Sequence, residues 1–268
     1  MRRQDIKVCI LRVGGTNCDE ETMLAFADLG VQAEVVHMNY LLSGKRKLED
    51  YHILVFPGGF SYGDHVRAGA IWGKKVVTKL GENLAKFIEE EKAVLGICNG
   101  FQVLVETGLL PGFDGIYEKS EVVLATNTSA RYECRWVFLR AEPSICKLLK
   151  NLEKRMLLKM PIGHGEGRFL ARDDVLRKLV NQKQITFKYV MPNGSDANGV
   201  YPYNPNGSAL DIAGICNSKG NVMGLMPHPE RAYFGWQFPD WTGKEIVQEY
   251  GDGRLVLESI VKYVEEDF

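Results

Sequence analysis

Through residue 106, short apolar runs alternate along the chain with longer amphipathic stretches. Continuous apolar runs at 6–13 and 93–97 predict strands that are buried on both faces. Two further strands are predicted at 31–38 and 52–56, and helices at 19–29, within 66–91 and at 99–106. Strands that alternate with helices in this order indicate a mostly parallel, doubly wound sheet.

The chain from residue 120 to 225 has a different pattern, with short strand-like stretches between turns rich in Gly, Pro and Asn. These stretches lie at 121–126, 134–140, 185–191, 211–216 and 221–226. We interpret them as an antiparallel extension of the same sheet, and a last helix is predicted at about 253–265. The predicted fold class is therefore α/β, a three-layer, mostly parallel doubly wound sheet with an antiparallel extension.

An aromatic-rich segment at 231–252 precedes the last helix. Among its large aromatic residues are Tyr233, Phe234, Trp236, Phe238 and Trp241. In a chain without excess positive charge, such a segment is more typical of a packed lid or a partner contact than of a platform for stacked bases. We treat residues 1–268 as a single domain in which 231–252 is an insertion that covers a site or contacts a partner.

Composition narrows the function classes. The 33 basic and 34 acidic residues leave a net charge of −1, which argues against nucleic-acid binding, where a basic face supplies most of the affinity. The six cysteines lie far apart with no CxxC pair, so no metal site is expected. The apolar run near the N-terminus is too short for a signal peptide or a membrane span. We therefore expect a cytoplasmic protein with reduced thiols and no membrane contact.

The sharpest local motif surrounds Cys98. It lies in Gly96-Ile97-Cys98-Asn99-Gly100, directly between a predicted strand and a predicted helix. Glycines on both sides allow the tight turn that projects a nucleophile above a sheet, and a helix N-terminus favours a thiolate over a thiol. A small buried cysteine between two packing glycines is the structural alternative, and the strand–helix context favours the nucleophile.

A thiolate nucleophile requires a proton carrier that is held by an orienting group. Among the five histidines, His228 is the strongest candidate, because it follows a predicted strand and has prolines on both sides. Glu230 lies two residues further on, and in extended backbone residues i and i+2 face the same side. The pattern therefore favours Cys98, His228 and Glu230 as catalytic residues over a surface histidine in a proline turn.

Acyl chemistry also requires donors for the oxyanion. The backbone N–H of Asn99, just after the nucleophile, can supply one, and Gly58 or Gly59 at the end of a neighbouring strand can supply the other. A plain turn at these glycines is the alternative. The chain has no GxxxxGK[ST] phosphate loop and no GxGxxG turn between a strand and a helix, so ATP and dinucleotide binding are not indicated.

In combination these residues resemble the catalytic triad of class I, triad-type glutamine amidotransferases. The resemblance is strongest to the glutaminase subunits of phosphoribosylformylglycinamidine synthase, an enzyme of purine biosynthesis, and it spans about residues 6–231. The motifs that carry it are PGGFSYGD (57–64), RAGA (67–70), GICNGFQ (96–102), HGEGR (164–168) and MPHPER (226–231), with Asn127, Ser129 and Cys134-Arg135-Trp136 in the middle region.

The resemblance implies that Cys98 attacks the side-chain amide of glutamine to form a thioester, while His228, oriented by Glu230, moves the protons. It places the oxyanion hole at the amides of Gly59 and Asn99. Substrate contacts are implied for Gly58, Gln102 and Arg135.

The resemblance also implies a complex. The glutaminase chain of this family carries no cofactor, and its ammonia passes to a large ATP-dependent synthetase subunit that holds ATP and magnesium. That subunit converts formylglycinamide ribonucleotide to formylglycinamidine ribonucleotide, with a small third subunit in the complex. The segment 231–252 makes this chain longer than compact members of the family, so their partner geometry does not carry over.

Three alternatives remain open at this point. The chain could supply ammonia to another synthetase, act as a stand-alone cysteine hydrolase of the same fold, or serve as a regulatory or binding subunit without catalysis. The purine-type motifs argue against the first two. The intact set of Cys98, His228 and Glu230 argues against the third.

Overall fold

The computed structural model describes residues 1–117, 120–243 and 245–268. The strands of this described part are β1 (Lys7–Arg12), β2 (Gln32–His37), β3 (Ile53–Phe56), β4 (Ala93–Ile97), β5 (Val122–Thr126), β6 (Glu133–Ala141), β7 (Leu157–His164), β8 (Glu166–Ala171), β9 (Ile185–Val190), β10 (Ile212–Cys216) and β11 (Val222–Leu225). Its α-helices are α1 (Asp19–Asp28), α2 (Met38–Leu42), α3 (Ala70–Glu89), α4 (Asn99–Glu106), α5 (Asp173–Asn181) and α6 (Asp252–Asp267).

The parallel half of the main sheet consists of neighbouring strands in the order β2-β1-β3-β4-β11. Every residue of β3 and β4 is buried, which explains the continuous apolar runs at these positions. The expectation that 221–226 belongs to the antiparallel extension holds for one edge only, because β11 pairs antiparallel with β10 but parallel with β4. An apolar run that is buried on both faces carries no sign of the direction of its neighbour.

The antiparallel half continues the sheet in the order β10-β9-β6-β7. It contains the stretches predicted at 134–140, 185–191 and 211–216. The stretch at 121–126 lies elsewhere, because β5 pairs with β8 in a separate two-stranded sheet. Strands β7 and β8 are missing from the prediction since Pro161 and the glycines at 163, 165 and 167 are typical of turns.

Helices cover both faces of the parallel half. The connection from β1 to β2 runs through α1 in one direction along the sheet, and that from β3 to β4 runs through α3 in the other. Because such crossovers are right-handed, α1 and α3 lie on opposite faces. Helix α6 contacts α1, and α4 contacts α3, which completes the three layers. Within the described ranges, no helix combines the length and the apolar character that a membrane crossing requires.

The segment 231–252 forms short 3-10 turns, apart from residue 244, which lies outside the described residues. A bridge between Phe234 and Tyr250 closes it at its base. Gln237 within it donates a hydrogen bond to the backbone carbonyl of Glu230 at 3.1 Å. The segment therefore supports the turn that carries Glu230, and its contact with a partner stays a prediction.

Candidate active site

The carboxyl ends of four neighbouring parallel strands bring the candidate residues to one edge of the sheet. Gly58 follows β3, Cys98 directly follows β4, and His228 follows β11. Cys18 lies between β1 and α1 at the same edge. Open α/β sheets bind ligands at this edge, so the topology alone places these residues where a substrate can reach them.

Cys98 occupies a sharp, strained turn between β4 and α4. Its backbone has φ 50° and ψ −105°, which non-glycine residues rarely adopt. Its N–H donates to the carbonyl of Leu225 at 2.8 Å, which holds the turn against β11. A Cβ on Gly100 would overlap the carbonyl oxygen of Phe56, so α4 can approach β3 only with glycine there. The predicted nucleophile turn is therefore present.

His228 and Glu230 form a buried pair. Nδ1 of His228 and Oε1 of Glu230 are 2.5 Å apart, and the two residues are 2% and 1% exposed. The backbone N–H of His228 donates to the carbonyl of Pro161 at 2.9 Å. The backbone that brings the two side chains together is not the expected extended strand. Glu230 lies instead in a 3-10 turn at Pro229–Ala232.

The electrostatic environment of His228 favours its charged form. Burial lowers the pKa of His228, but the charges on Glu230 and Cys98 outweigh it and hold that pKa well above the ordinary 6.5. Nε2 of His228 is buried and has no hydrogen-bond partner in the described part of the chain. An imidazolium with a free Nε2 can serve as counter-ion to a Cys98 thiolate and can pass its proton to a leaving group.

The candidate nucleophile is itself enclosed. Cys98 is 5% exposed, and its Sγ lies 3.6 Å from the backbone carbonyl of Gly163 in β7. Strand β7 therefore supplies a wall of the site that the sequence pattern does not indicate. Access for a substrate is restricted in this conformation.

The two candidate oxyanion donors lie at the expected strand and helix ends. Gly59 has φ 149°, and a Cβ there would lie 2.7 Å from the carbonyl oxygen of Gly15, so only glycine fits. Asn99 begins α4, and its side-chain oxygen accepts the backbone N–H of Ser61 at 3.1 Å. This bond ties the loop after β3 to the helix that follows Cys98. The oxyanion role of both amides stays a prediction.

The three substrate contacts implied by the resemblance have different surroundings. Gln102 accepts from the side chain of Asn99 at 2.9 Å and donates to the backbone carbonyl of Glu166. Arg135 is paired with Glu133 at 2.8 Å and stacks on Tyr201, so its charge is already partnered. Gly58 faces His228, because a Cβ there would lie 2.7 Å from Cε1 of that ring. Their substrate roles stay predictions.

Cys18, His228 and Glu230 place metal-type donor atoms within 4.8 Å of one another. A cation does not fit among them. The guanidinium of Arg231 donates to the Cys18 sulfur at 3.2 Å and places a positive charge at the cluster, and Nδ1 of His228 is already bonded to Glu230. We therefore interpret the group as the candidate catalytic pair with a neighbouring thiol.

His164 is a second buried histidine that the sequence pattern leaves without a role. It is 3% exposed, and its Nδ1 lies 3.1 Å from the side-chain oxygen of Asn127. Burial lowers the pKa of His164 to about 3, and the positive charge of His228 contributes. A histidine that is neutral when folded and protonated when unfolded destabilises the fold as the pH falls.

Replacing His164 with Gln should weaken the acid sensitivity of the fold. The stability that neutral His164 contributes is complete above pH 6.5 and is lost as the pH falls from 6.5 towards 3. The full shift corresponds to on the order of 5 kcal/mol. In urea unfolding between pH 6.5 and 4, the free energy of unfolding should fall less steeply for His164→Gln than for the wild type. The exposed His65, changed to Gln, is the control; equal slopes for the wild type and His164→Gln would contradict the account.

Comparison with known proteins agrees with this geometry. The model of the CobB/CobQ-like glutamine amidotransferase domain matches residues 5–264. The phosphoribosylformylglycinamidine synthase subunit PurQ of Archaeoglobus fulgidus is 47% identical and covers 99% of this chain and 100% of its own. The protein of the same name from Dehalococcoides mccartyi is 40% identical over 97% of this chain and 98% of its own.

Solved structures extend the comparison. The structure of PurLQS from Thermotoga maritima matches with a TM-score of 0.72 and 34% identity, over 97% of this chain and 99% of that one. The glutaminase domain of Trypanosoma brucei CTPS matches with a TM-score of 0.54 at 11% identity, over 98% of this chain and 95% of that one, and shows the fold alone. The predicted fold class is confirmed. The chain belongs to the CobB/CobQ-like glutamine amidotransferase family and, within it, to the family of phosphoribosylformylglycinamidine synthase PurQ subunits.

Proposed function

We propose that this chain is the glutaminase subunit of a phosphoribosylformylglycinamidine synthase. It hydrolyses glutamine through a thioester on Cys98 and supplies ammonia to a separate ATP-dependent synthetase subunit. The observation that carries the proposal is the strained Cys98 turn beside the buried His228–Glu230 pair, in a chain that matches PurQ relatives over nearly its full length.

The first half of the reaction forms the thioester. The Cys98 thiolate attacks the side-chain carbonyl carbon of glutamine, a C–S bond forms, and the carbonyl electron pair moves to oxygen. The amides of Gly59 and Asn99 stabilise this oxyanion. When the intermediate collapses, the C–N bond breaks and Nε2 of His228 donates its proton, so that ammonia leaves.

The second half restores the enzyme. Neutral His228 takes a proton from water, and the hydroxide attacks the thioester carbonyl. The C–S bond breaks, glutamate leaves, and Cys98 and His228 return to the thiolate–imidazolium pair. Glu230 holds the imidazole in one orientation throughout, because its bond to Nδ1 at 2.5 Å fixes which nitrogen faces the substrate.

Ammonia supply requires an acceptor protein. The solved relative from Thermotoga maritima is named PurLQS. We infer that this chain likewise joins a large synthetase subunit, which binds ATP and magnesium and forms formylglycinamidine ribonucleotide, together with a small third subunit. No phosphate-loop motif is present in this sequence, which agrees with ATP use on the partner. We propose a cytoplasmic location for the complex.

A reconstitution experiment tests the acceptor. The chain is mixed with the large subunit of a phosphoribosylformylglycinamidine synthase or, as a control, with the synthetase of a GMP synthase. We expect glutamine-dependent product only with the first, and glutamine hydrolysis that increases several-fold when the matching synthetase and its substrates are present. Coupling to the GMP synthase instead would contradict the assigned acceptor.

A further inference from the structure

Cys18 lies against the catalytic histidine, although it is more than half the chain away from it in sequence. Its sulfur, a ring nitrogen of His228 and a carboxylate oxygen of Glu230 all lie within 4.8 Å of one another. The cysteine is 3% exposed. The thiol is therefore part of the wall that encloses the imidazole.

The position of Cys18 is fixed through its backbone and its sulfur. Its N–H donates to the carbonyl of Gly58 at 3.2 Å, and its carbonyl accepts the hydroxyl of Thr22 at 2.5 Å. The guanidinium of Arg231 donates to the sulfur at 3.2 Å. Because both ends of the residue are held, the thiol stays where it meets His228.

Gly58 completes this arrangement. A Cβ at Gly58 would lie 2.7 Å from Cε1 of His228 and 3.1 Å from the sulfur of Cys18. The edge of the imidazole and the thiol therefore border the same small space at the end of β3, and no side chain of Gly58 separates them. A ring that is bonded to Glu230 through Nδ1 alone can pivot about that bond, whereas a group packed at its edge restricts the pivot.

We propose that Cys18 is a positioning residue for glutamine hydrolysis, which packs against His228 and keeps its Nε2 directed at the nucleophile. The proposal deepens the proposed function and rests on it. Burial raises the pKa of the Cys18 thiol to about 11, so this thiol is neutral at physiological pH and does not replace Cys98 as the nucleophile.

Steady-state kinetics of the reconstituted complex test the proposal with Cys18→Ala, Cys18→Ser and the control Cys9→Ala. Cys9 carries a buried thiol in β1, so Cys9→Ala also removes a buried sulfur atom but does so away from the site. We expect Cys18→Ala to lower kcat about tenfold while the KM for glutamine changes less than about twofold, because the loss misplaces a proton carrier rather than a substrate contact. Cys18→Ser should recover part of kcat, since a hydroxyl can still accept from Arg231.

The pH profile separates positioning from a merely structural role. The titratable and charged groups around His228 are Glu230, Arg231, Cys98, Cys18, His164 and Tyr132. Burial lowers the pKa of His228, whereas Glu230, Cys98 and, to a smaller extent, the neighbouring Cys18 raise it. Cys18→Ala should therefore move the alkaline limb of kcat/KM, which reports loss of the imidazolium, to lower pH. Cys9→Ala should leave this limb in place.

The outcomes distinguish the two proposals. If the wild-type complex hydrolyses glutamine and Cys18→Ala matches Cys9→Ala in kcat and in its alkaline limb, the role of Cys18 is overturned and the proposed function stands. If Cys18→Ala does not fold, the same comparison is made with Cys18→Ser. A kcat and an alkaline limb of kcat/KM that both match the wild type would then overturn the positioning role of Cys18. If the wild-type complex does not hydrolyse glutamine, the proposed function fails, and the role of Cys18 fails with it.

Discussion

Replacing Cys98 with Ala should abolish glutamine hydrolysis and spare the use of free ammonia. Loss of a nucleophile removes the covalent path entirely, and we expect the glutaminase rate of the complex to fall by at least about 10⁴-fold. Synthesis of the amidine from added ammonium chloride should continue at the wild-type rate, because the acceptor chemistry lies on the partner. Paired assays of the same complex with glutamine and with ammonium chloride measure both rates.

Cys134→Ser is the matched control for Cys98→Ala. Cys134 is the exposed cysteine of the described residues, on β6 next to the strand that encloses Cys98. This variant should retain both the glutamine-dependent and the ammonia-dependent rates. Glutamine-dependent synthesis that persists in Cys98→Ala would show that another group, or no covalent step, releases the ammonia.

Glu230→Gln should lower kcat for glutamine hydrolysis by about 10² to 10⁴-fold with little change in KM. Gln nearly matches Glu in size, but it removes the negative charge that raises the pKa of buried His228. The imidazolium is then disfavoured by burial, and the thiolate loses its counter-ion. Kinetics of the complex at saturating glutamine measure the effect, and a kcat within threefold of the wild type would contradict the role assigned to Glu230.

The same variant has a predicted signature in stability. Since the folded pKa of His228 lies above its unfolded value near 6.5, the charged pair stabilises the fold fully below pH 6.5 and loses this contribution as the pH rises through the folded pKa. The difference in free energy of unfolding between the wild type and Glu230→Gln should therefore shrink at alkaline pH. Glu49→Gln, an exposed change away from the site, should show no such trend.

The parallel half of the fold and the candidate catalytic residues each have a local signature in the sequence. Strands β3 and β4 are apolar and buried throughout, and the glycines beside Cys98 mark a tight strand-to-helix turn. The proximity of Glu230 to His228 follows from their spacing, although a 3-10 turn rather than a strand brings them together.

The antiparallel half is less predictable from the sequence, for physical reasons. Strand β11 joins the two halves, parallel to β4 and antiparallel to β10, and a buried apolar run does not encode either direction. Strand β7 contains Pro161 and Gly163, which local propensity assigns to turns, yet its pairing with β6 stabilises it as a strand. Tertiary pairing therefore outweighs propensity in this region.

Two features of the site have no local sequence signal. Cys18 lies beside His228 only because β1 and β11 end at the same edge of the sheet. The proximity of these two residues therefore cannot be inferred from their spacing along the chain. The resemblance implies a substrate contact for Gly58, and the structure shows that its missing side chain also makes room for the imidazole. Both features become visible only when strand order is known.

Covalent labelling with a diazo-ketone analogue of glutamine tests the central claim most directly. The chain, in complex with its synthetase partner, is treated with the analogue and then studied by intact mass and peptide mapping. We expect one adduct, at Cys98, that excess glutamine blocks and that His228→Ala lacks, while the exposed Cys134 stays unmodified. An unmodified Cys98 in the complex, with iodoacetamide still able to alkylate it, would contradict the account, because the thiol would then be accessible without a glutamine site.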